Sequence, residues 1–512
     1  MIKYMEQIHR SNSRLFRAIF CALFNSYAES VDAPDMDFVL RRPRRAREPV
    51  VEETRRSFQL QSAEMERAGE LKQIGINAFK SKDIPAAISA WKEAVQIIEG
   101  ELGWGELRAS ILLNLSLAAF QTEDYPSAEQ WATEAINSGP EIANDSRSLA
   151  KAYSRRGAAR RRVARLHQAY DDIRNASILA PKDTGVAAEL KAVIEDVAAA
   201  TKRGLESLPP SEQAPFEIVG QVPRIKYDDP ALATYLKNQT PVIITESPMF
   251  LPAVAHWDVD YLTKHIGNID CTVFKSENQK FRYWDESKNE AKYEFIEHTE
   301  KLEMSFAQFS EQKLQAEAGD GSVYLQQALI EGVGDQILTD FKRFDWDLAR
   351  QCQIEAGFGA LTSNLLLVGM EGVVTPAHYD EQENLFGQVK GYKRVLMMAP
   401  TEFKSMYPFP LHHPHDRQSQ LDIFDPDLEK FPRFSEVSVL DCVVAPGDML
   451  YIPGYWWHHI ISLTETVSVT FWYKCGEKPV DPVLPGQEVE LSDVQVTVGV
   501  ETRAIILFGV HF

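Results

Sequence analysis

Two periodicities divide the chain. Between residues 64 and 204, small and apolar residues recur at helical spacing in three similar units. Gly75, Ala87, Trp91 and Ala94 are followed by Ser116, Ala128, Ala132 and Ala135, then by Gly157, Ala169, Ile173 and Ala176 with a closing Pro181. Small residues at fixed offsets let paired helices cross closely, and a pair that cannot bury its own face must stack on the next. The pattern predicts three helix pairs around a continuous core, with a concave groove. From Pro241-Val242-Ile243-Ile244 onward the patterning turns strand-like and runs to Lys474. Pro209-Pro210 and Pro215 mark residues 205–222 as a linker. Residues 1–63 carry neither period and read as a disordered basic segment. In the tail, residues 479–512, the stretches 496–500 and 504–508 look strand-like.

Charge and cysteine content narrow the class. A chain of 512 residues with a formal charge of −20 has room for two or three cores and is a poor general nucleic-acid binder, since phosphate contacts need clustered Lys and Arg. The five cysteines (Cys21, Cys271, Cys352, Cys442 and Cys475) are scattered without zinc-like spacing, which fits a reducing compartment. The apolar runs are far short of the ~18 residues of a membrane span. Lys3, Arg10, Arg14 and Arg17 resemble a mitochondrial presequence, and Arg41-Arg42-Pro43-Arg44-Arg45-Ala46-Arg47 resembles a nuclear address. The expected location is cytoplasmic or nuclear rather than mitochondrial.

The chemistry concentrates in His378-Tyr379-Asp380 and in His458, which follows Tyr451-Ile452-Pro453-Gly454-Tyr455-Trp456-Trp457. Residues two apart on a strand share a face, so His378 and Asp380 can ligate one metal while His458 closes a third position. Two imidazoles and a carboxylate leave sites open for a co-substrate and O₂, the arrangement of non-haem Fe(II) oxygenases. Lys393, in the apolar run Tyr392-Lys393-Arg394-Val395-Leu396, is either a snorkelling edge residue or an anchor for an anion. His459 falls on the opposite face of its strand and reads as a packing residue. His412, His413 and His415 sit in a proline-rich loop and do not suggest a second metal. Trp456 and Trp457 read as core.

Residues 375–394, Tyr407-Pro408-Phe409-Pro410-Leu411-His412-His413-Pro414, Asp416-Arg417-Gln418-Ser419-Gln420 and the run ending at His459 carry a resemblance. They resemble the asparaginyl hydroxylases of the factor-inhibiting-hypoxia-inducible-factor family, among the cupin-like, JmjC-type 2-oxoglutarate oxygenases. The resemblance covers about half the chain and bounds a domain at 223–478. It implies a multidomain α + β protein, a helical repeat solenoid followed by a double-stranded β-helix (jelly-roll). It implies His378, Asp380 and His458 as iron ligands, and Lys393, Tyr324 and Thr375 around the distal carboxylate of 2-oxoglutarate. Asn384, Thr470 and Trp472 would line the cofactor pocket, and Tyr283, Gln326, Arg417 and Gln418 the substrate side. Thr470 stands where that family has an asparagine, and the loop after His459 is short; a hydroxyl replaces only part of an amide. O₂ and 2-oxoglutarate are the implied co-substrates, and a protein asparagine, as in an ankyrin repeat or a transcription-factor segment, the implied target.

The three helix pairs resemble tetratricopeptide repeats of co-chaperones that grip the acidic C-terminal tail of heat-shock chaperones. Lys72, Asn114, Lys151 and Arg155 match clamp positions, while Ile76 replaces a clamp asparagine. Arg156 and Arg160-Arg161-Arg162 add positive charge that favours an acidic peptide. That family of hydroxylases dimerises through C-terminal helices; the strand-like tail here gives no ground for carrying the homodimer over. Two other readings stand beside protein hydroxylation: an oxygenase with another target, such as a histone lysine demethylase or an RNA hydroxylase, and a non-catalytic repeat scaffold.

Overall fold

The fold was analysed in a computed structural model, which describes residues 48–98, 105–209, 214–289, 292–297, 299–317, 321–330, 332–475, 488–491 and 494–497. The proposed presequence and the basic cluster at 41–47 lie outside the described residues. The chain divides into two units, Met1–Ala159 and Arg160–Phe512.

The first unit is built from helices α1 (Glu48–Lys80), α2 (Ile84–Ile97), α3 (Gly105–Gln121), α4 (Tyr125–Ile136), the single turn α5 (Pro140–Asn144) and most of α6 (Ser146–Arg162). The repeat explains their ends. Asp83 and Asp124 accept from the backbone N–H of Ala86 and Ser127 and start α2 and α4, each with a proline in the first turn. Lys82 and Glu123, one residue earlier, take the left-handed conformation that closes the turn. Ala87, Trp91, Ala94, Ile111, Leu112, Leu115, Ala118 and Ala135 form one buried core. Ser116 occupies a crossing point, where its buried hydroxyl donates to the Ala128 carbonyl. α1 begins at Glu48, well before the boundary expected at 64.

The second unit opens with α7 (Leu166–Leu179) and α8 (Thr184–Ser207). These helices are grouped with the strand domain, which they contact at several points. The Tyr170 hydroxyl donates to the Glu246 carbonyl, Arg174 pairs with Asp345, and Asp171 faces both Arg343 and His256. The linker expected at 205–222 is also corrected. Residues 205–207 still belong to α8, and β1 (Ile218–Gln221) pairs in parallel with β11 (Val439–Val444) at a sheet edge. A proline-bearing approach suits an edge strand, which uses only half of its hydrogen-bonding groups.

Two sheets follow. The larger has the order β2 (Arg224–Lys226), β3 (Val242–Thr245), β12 (Met449–Ile452), β9 (Gln382–Lys390), β14 (Thr466–Lys474), β7 (Leu361–Gly369), β6 (Ser322–Ala328), β4 (Asp270–Ser276), β5 (Glu300–Ser305). The smaller runs β1, β11 (Val439–Val444), β10 (Lys393–Met398), β13 (Trp457–Ser462), β8 (Val374–Tyr379). Their alternation places a jelly-roll core between the sheets and apolar residues outside them. On the outer face of the smaller sheet, Arg394 and Asp441 form a buried two-pronged ion pair, 3.0 Å at each contact. A hairpin of β15 (Glu488–Leu491) and β16 (Val494–Thr497) lies in the tail; 504–508 is outside the described residues. Among the described residues no helix is long and apolar enough to cross a membrane.

Candidate active site

Pairing of β8 with β13 sets His378 directly opposite His458, with their rings 4.1 Å apart. Asp380 follows β8 at once, its Oδ2 3.9 Å from His458 Nε2. The three donor atoms lie within 4.8 Å of one another, the one such grouping of His, Cys, Asp and Glu among the described residues. The outer contacts select which nitrogen faces inward. His378 Nδ1 bonds the Pro376 carbonyl at 2.9 Å, and His458 Nδ1 the Trp456 carbonyl at 3.0 Å. Each imidazole is thereby held with Nε2 available to a metal. Trp472 Nε1 donates to Asp380 Oδ2 at 3.4 Å.

Electrostatics agree with a ligand set. Burial acts to raise the Asp380 carboxyl, but His378, His458 and Arg417 together hold it below its ordinary value. Burial, with His378 nearby, lowers His458 to about 4, so the ring is neutral at neutral pH. Neutral imidazole and ionised carboxylate are the forms that bind a divalent ion. The donor set fits iron as the chemistry of two nitrogens and one oxygen requires.

Lys393 begins β10 on the same inner face. Its Nζ is fully buried, 3.4 Å from the Tyr324 hydroxyl and 5.3 Å from the rings of Tyr324 and Phe386. Among the described residues no carboxylate pairs with it, and burial lowers it to about 7. A desolvated amine with one hydroxyl beside it is a socket for an anion. The cross-strand pairs Thr470–Phe386 and Trp472–Asn384 put all four residues on this inner face. Thr470 Oγ1 accepts from the Leu365 amide at 3.3 Å, so its oxygen is engaged within the sheet. Asn384 keeps a buried Oδ1 without a hydrogen-bond partner. Thr375 lies on β8, in register with Ile460.

Of the substrate-side residues, Tyr283, Arg417 and Gln418 converge at the outer edge of β8. Residues 417–419 run along it: the Tyr379 amide donates to the Arg417 carbonyl and the Ser419 amide to the Ala377 carbonyl, with Gln418 bridging to His378. The Tyr283 carbonyl accepts from Gln418 Nε2 and contacts His415 Nδ1 at 2.7 Å. Gln418 is therefore spent on latching the Tyr283 segment, while the Tyr283 side chain stays exposed. Gln326 lies on β6, two residues after Tyr324 and on the same face. His413 and His415 stack among Phe409, Phe295 and Tyr293.

Two contributors escaped the sequence reading. Tyr455 takes φ 68°, and its amide donates to the Asp380 carbonyl at 2.7 Å. A non-glycine residue held there costs about 1–2 kcal/mol, and strain of this kind gathers at functional sites. Phe386 supplies a ring to Lys393, a contact between strands that no local motif reveals.

In the first unit, Lys72 lines a groove of about 420 Å³ with Glu106, Ser110, Asp145 and Ser148. Arg155, matched to a clamp position, instead turns its guanidinium to the Leu113 carbonyl and is half-buried. The run at 160–162 does not offer free charge either. Arg160 pairs with Asp172, and Arg161 with Glu189 and Asp196. Asn114 is half-buried on α3, and Lys151 is exposed on α6 near Asp145.

Residues 229–477 match the family described as "Cupin-like domain". The strand domain therefore has a cupin-like, jelly-roll fold. "Lysine-specific demethylase 8" of Danio rerio is 32% identical over 49% of this chain and 58% of its own length. "tRNA wybutosine-synthesizing protein 5" of Danio rerio is 26% identical over 48% of this chain and 74% of its own. This chain spans about half the length of the lysine-specific demethylases it matches. Among solved structures, the first TPR of Spaghetti (RPAP3) bound to the HSP90 peptide SRMEEVD matches 26% of this chain and 94% of that one, at 26% identity and TM-score 0.23. The likeness reaches the cupin-like family broadly and does not single out asparaginyl hydroxylases.

Proposed function

We propose that the chain is an Fe(II)- and 2-oxoglutarate-dependent oxygenase that oxidises a side chain of a protein substrate. The observation that carries this reading is the pair of inner-face devices: a His378–Asp380–His458 triad with both Nε2 atoms freed, and an unpaired buried Lys393 beside Tyr324. His378, Asp380 and His458 would hold the metal; Lys393 and Tyr324 would hold the distal carboxylate of 2-oxoglutarate, with Thr375 and Asn384 in the same pocket. Bound iron would supply O₂ activation, converting 2-oxoglutarate and O₂ to succinate and CO₂ as one oxygen atom enters the substrate C–H bond. The protein's own part is positioning and exclusion of water, with Trp472 fixing the Asp380 carboxylate and the Tyr455 amide its backbone carbonyl.

On the target, two observations pull apart. The residue matches at Tyr283, Gln326, Arg417 and Gln418 imply an asparagine side chain. The internal bond from Gln418 to Tyr283, together with relatives named as lysine-specific demethylases, favours another side chain, a lysine first. An RNA target is the third class, favoured by the wybutosine relative and opposed by the acidic charge. The helix-pair groove is read as a peptide-recruiting surface; with Arg155 turned inward, an acidic chaperone tail would rest on Lys72, Asn114 and Lys151.

The test is succinate formation by the full chain with Fe(II) and ascorbate, offered in turn a methyl-lysine peptide, an asparagine-bearing ankyrin-repeat peptide and tRNA. A peptide lighter by one methylene group with formaldehyde released identifies demethylation; a product heavier by one oxygen identifies hydroxylation. No succinate from iron-loaded protein with any substrate overturns the oxygenase reading and leaves the repeat scaffold.

A further inference from the structure

Behind the triad, on the outer face of the smaller sheet, lies a second cavity, whose largely apolar wall of Pro376, Ala377, Leu421 and Ile423 carries a few polar groups. Alternation sends Ala377 and His459 outward from the positions next to His378 and His458. With Asn278, Lys280, Arg282, Asp422 and Ile423 among its walls, the cavity encloses about 90 Å³. A water needs roughly 10–15 Å³ on this measure, so there is room for about half a dozen such positions.

Two features of the lining are unbalanced. His459 is 96% buried, and neither ring nitrogen has a hydrogen-bond partner. A neutral imidazole carries one donor and one acceptor, and buried polar groups are nearly always satisfied. Arg282 is the second. Its guanidinium is desolvated, donates through Nη1 to the Ser419 carbonyl at 2.7 Å and rests over the Phe409 ring at 5.5 Å. Lys280 is paired with Asp422. Asp422 also attracts Arg282 at longer range, but among the described residues Arg282 has no ion pair of its own, so one positive charge is left over at the site.

We infer that this cavity binds a small carboxylate-type oxyanion of about four to six heavy atoms, held by Arg282 and His459. The guanidinium fork matches two oxygens of such a group, and the imidazole N–H offers a further donor. Net charge favours one negative charge and no more. Because Pro376-Ala377 lead into His378 and His459 follows His458, an occupant abuts the backbone of both ligand strands. The site is distinct from the inner-face anion socket at Lys393 and does not rest on the oxygenase reading.

Acetate is the probe. Saturation-transfer NMR on the full chain, at constant ionic strength with chloride as the control, reads its binding. We expect acetate binding that Arg282→Met weakens at least tenfold and that Lys393→Met leaves in place. Circular dichroism identifies variants that fail to fold; Ile423→Trp, which fills the cavity without touching a polar group, serves as the second variant and should also remove binding. The inference is overturned if folded wild-type protein gives no acetate signal, or if the signal survives both outer variants. It is equally overturned if the signal disappears in Lys393→Met alone, which assigns acetate to the inner socket.

Discussion

Trp472 Nε1 donates to Asp380 Oδ2 across 3.4 Å from β14, so the only carboxylate of the triad is oriented by a strand of the opposite sheet. The two histidines are steered by carbonyls two residues back in the chain, at Pro376 and Trp456. Asp380 sits beyond the end of β8 and needs outside support. Trp472→Phe keeps an aromatic ring, though a smaller one, and removes that donor. Metal affinity should fall about 10–100-fold, the usual cost of losing an outer-shell bond, with melting temperature little changed. Titration with Mn(II) as a spectroscopic probe reads it, and unaltered affinity refutes the orienting role.

Lys393 makes a stability prediction whose sign is opposite to that of a paired lysine. Its folded-state value is about 7 against an ordinary 10.5. Above about 7 the unfolded chain therefore keeps a proton that the folded protein has shed. Stability from this group rises as pH climbs from 7 toward 10.5, and charging it at lower pH costs the fold. Lys393→Met should raise the melting temperature of protein free of 2-oxoglutarate at pH 7 and below, and the difference from wild type should shrink at higher pH. The same variant should lose 2-oxoglutarate binding. Tyr324→Phe should weaken that binding by about 0.5–1.5 kcal/mol, roughly 2- to 13-fold. A less stable Lys393→Met protein would show that the amine has a partner in the fold.

How far the sequence could be read depends on the distance over which each feature is encoded. The triad and Lys393 were legible because strand alternation and a flanking run place them locally. The repeat was legible because Gly75, Ser116 and Gly157 recur at one spacing. Reading failed where partners are distant. Arg160 and Arg161 look like free charge until Asp172, Glu189 and Asp196 are folded against them, and Arg155 looks like a ligand until Leu113 offers its carbonyl. Tyr455 gave no signal, since nothing in its side chain marks a left-handed backbone. The prolines before β1 signalled a linker because edge strands and linkers tolerate proline alike.

Gly75 tests the packing of the first helix pair. A Cβ there would fall against Nε1, Cδ1 and Cε2 of Trp91, whose Nε1 donates to the Lys72 carbonyl at 3.1 Å. The ring is 2% exposed and has nowhere to move. Gly75→Ala gains helix propensity yet should destabilise the repeat unit by about 1–3 kcal/mol through overpacking. A chemical-denaturation midpoint equal to or above wild type would show that the pair accommodates the methyl group.

The placement of α7 and α8 makes the last prediction. A strand-domain fragment begun at 223 discards β1 and both helices. It exposes the Glu246 carbonyl to which Tyr170 donates, leaves Asp345 without Arg174 and strips one edge of the smaller sheet. His167, half-buried in the same helix, is lowered to about 4 by desolvation and by Lys390, so it packs as a neutral ring. Tyr392, next to the anion-socket lysine, meets α8 where Gly204 leaves space. A fragment starting at 160 retains all of this. The 160–478 fragment should be monodisperse, cooperatively folded and able to bind Mn(II), and the 223–478 fragment should aggregate or melt without a transition. Equal folding of the two would mean that the helices only decorate the strand domain; failure of both would place essential support in the first unit.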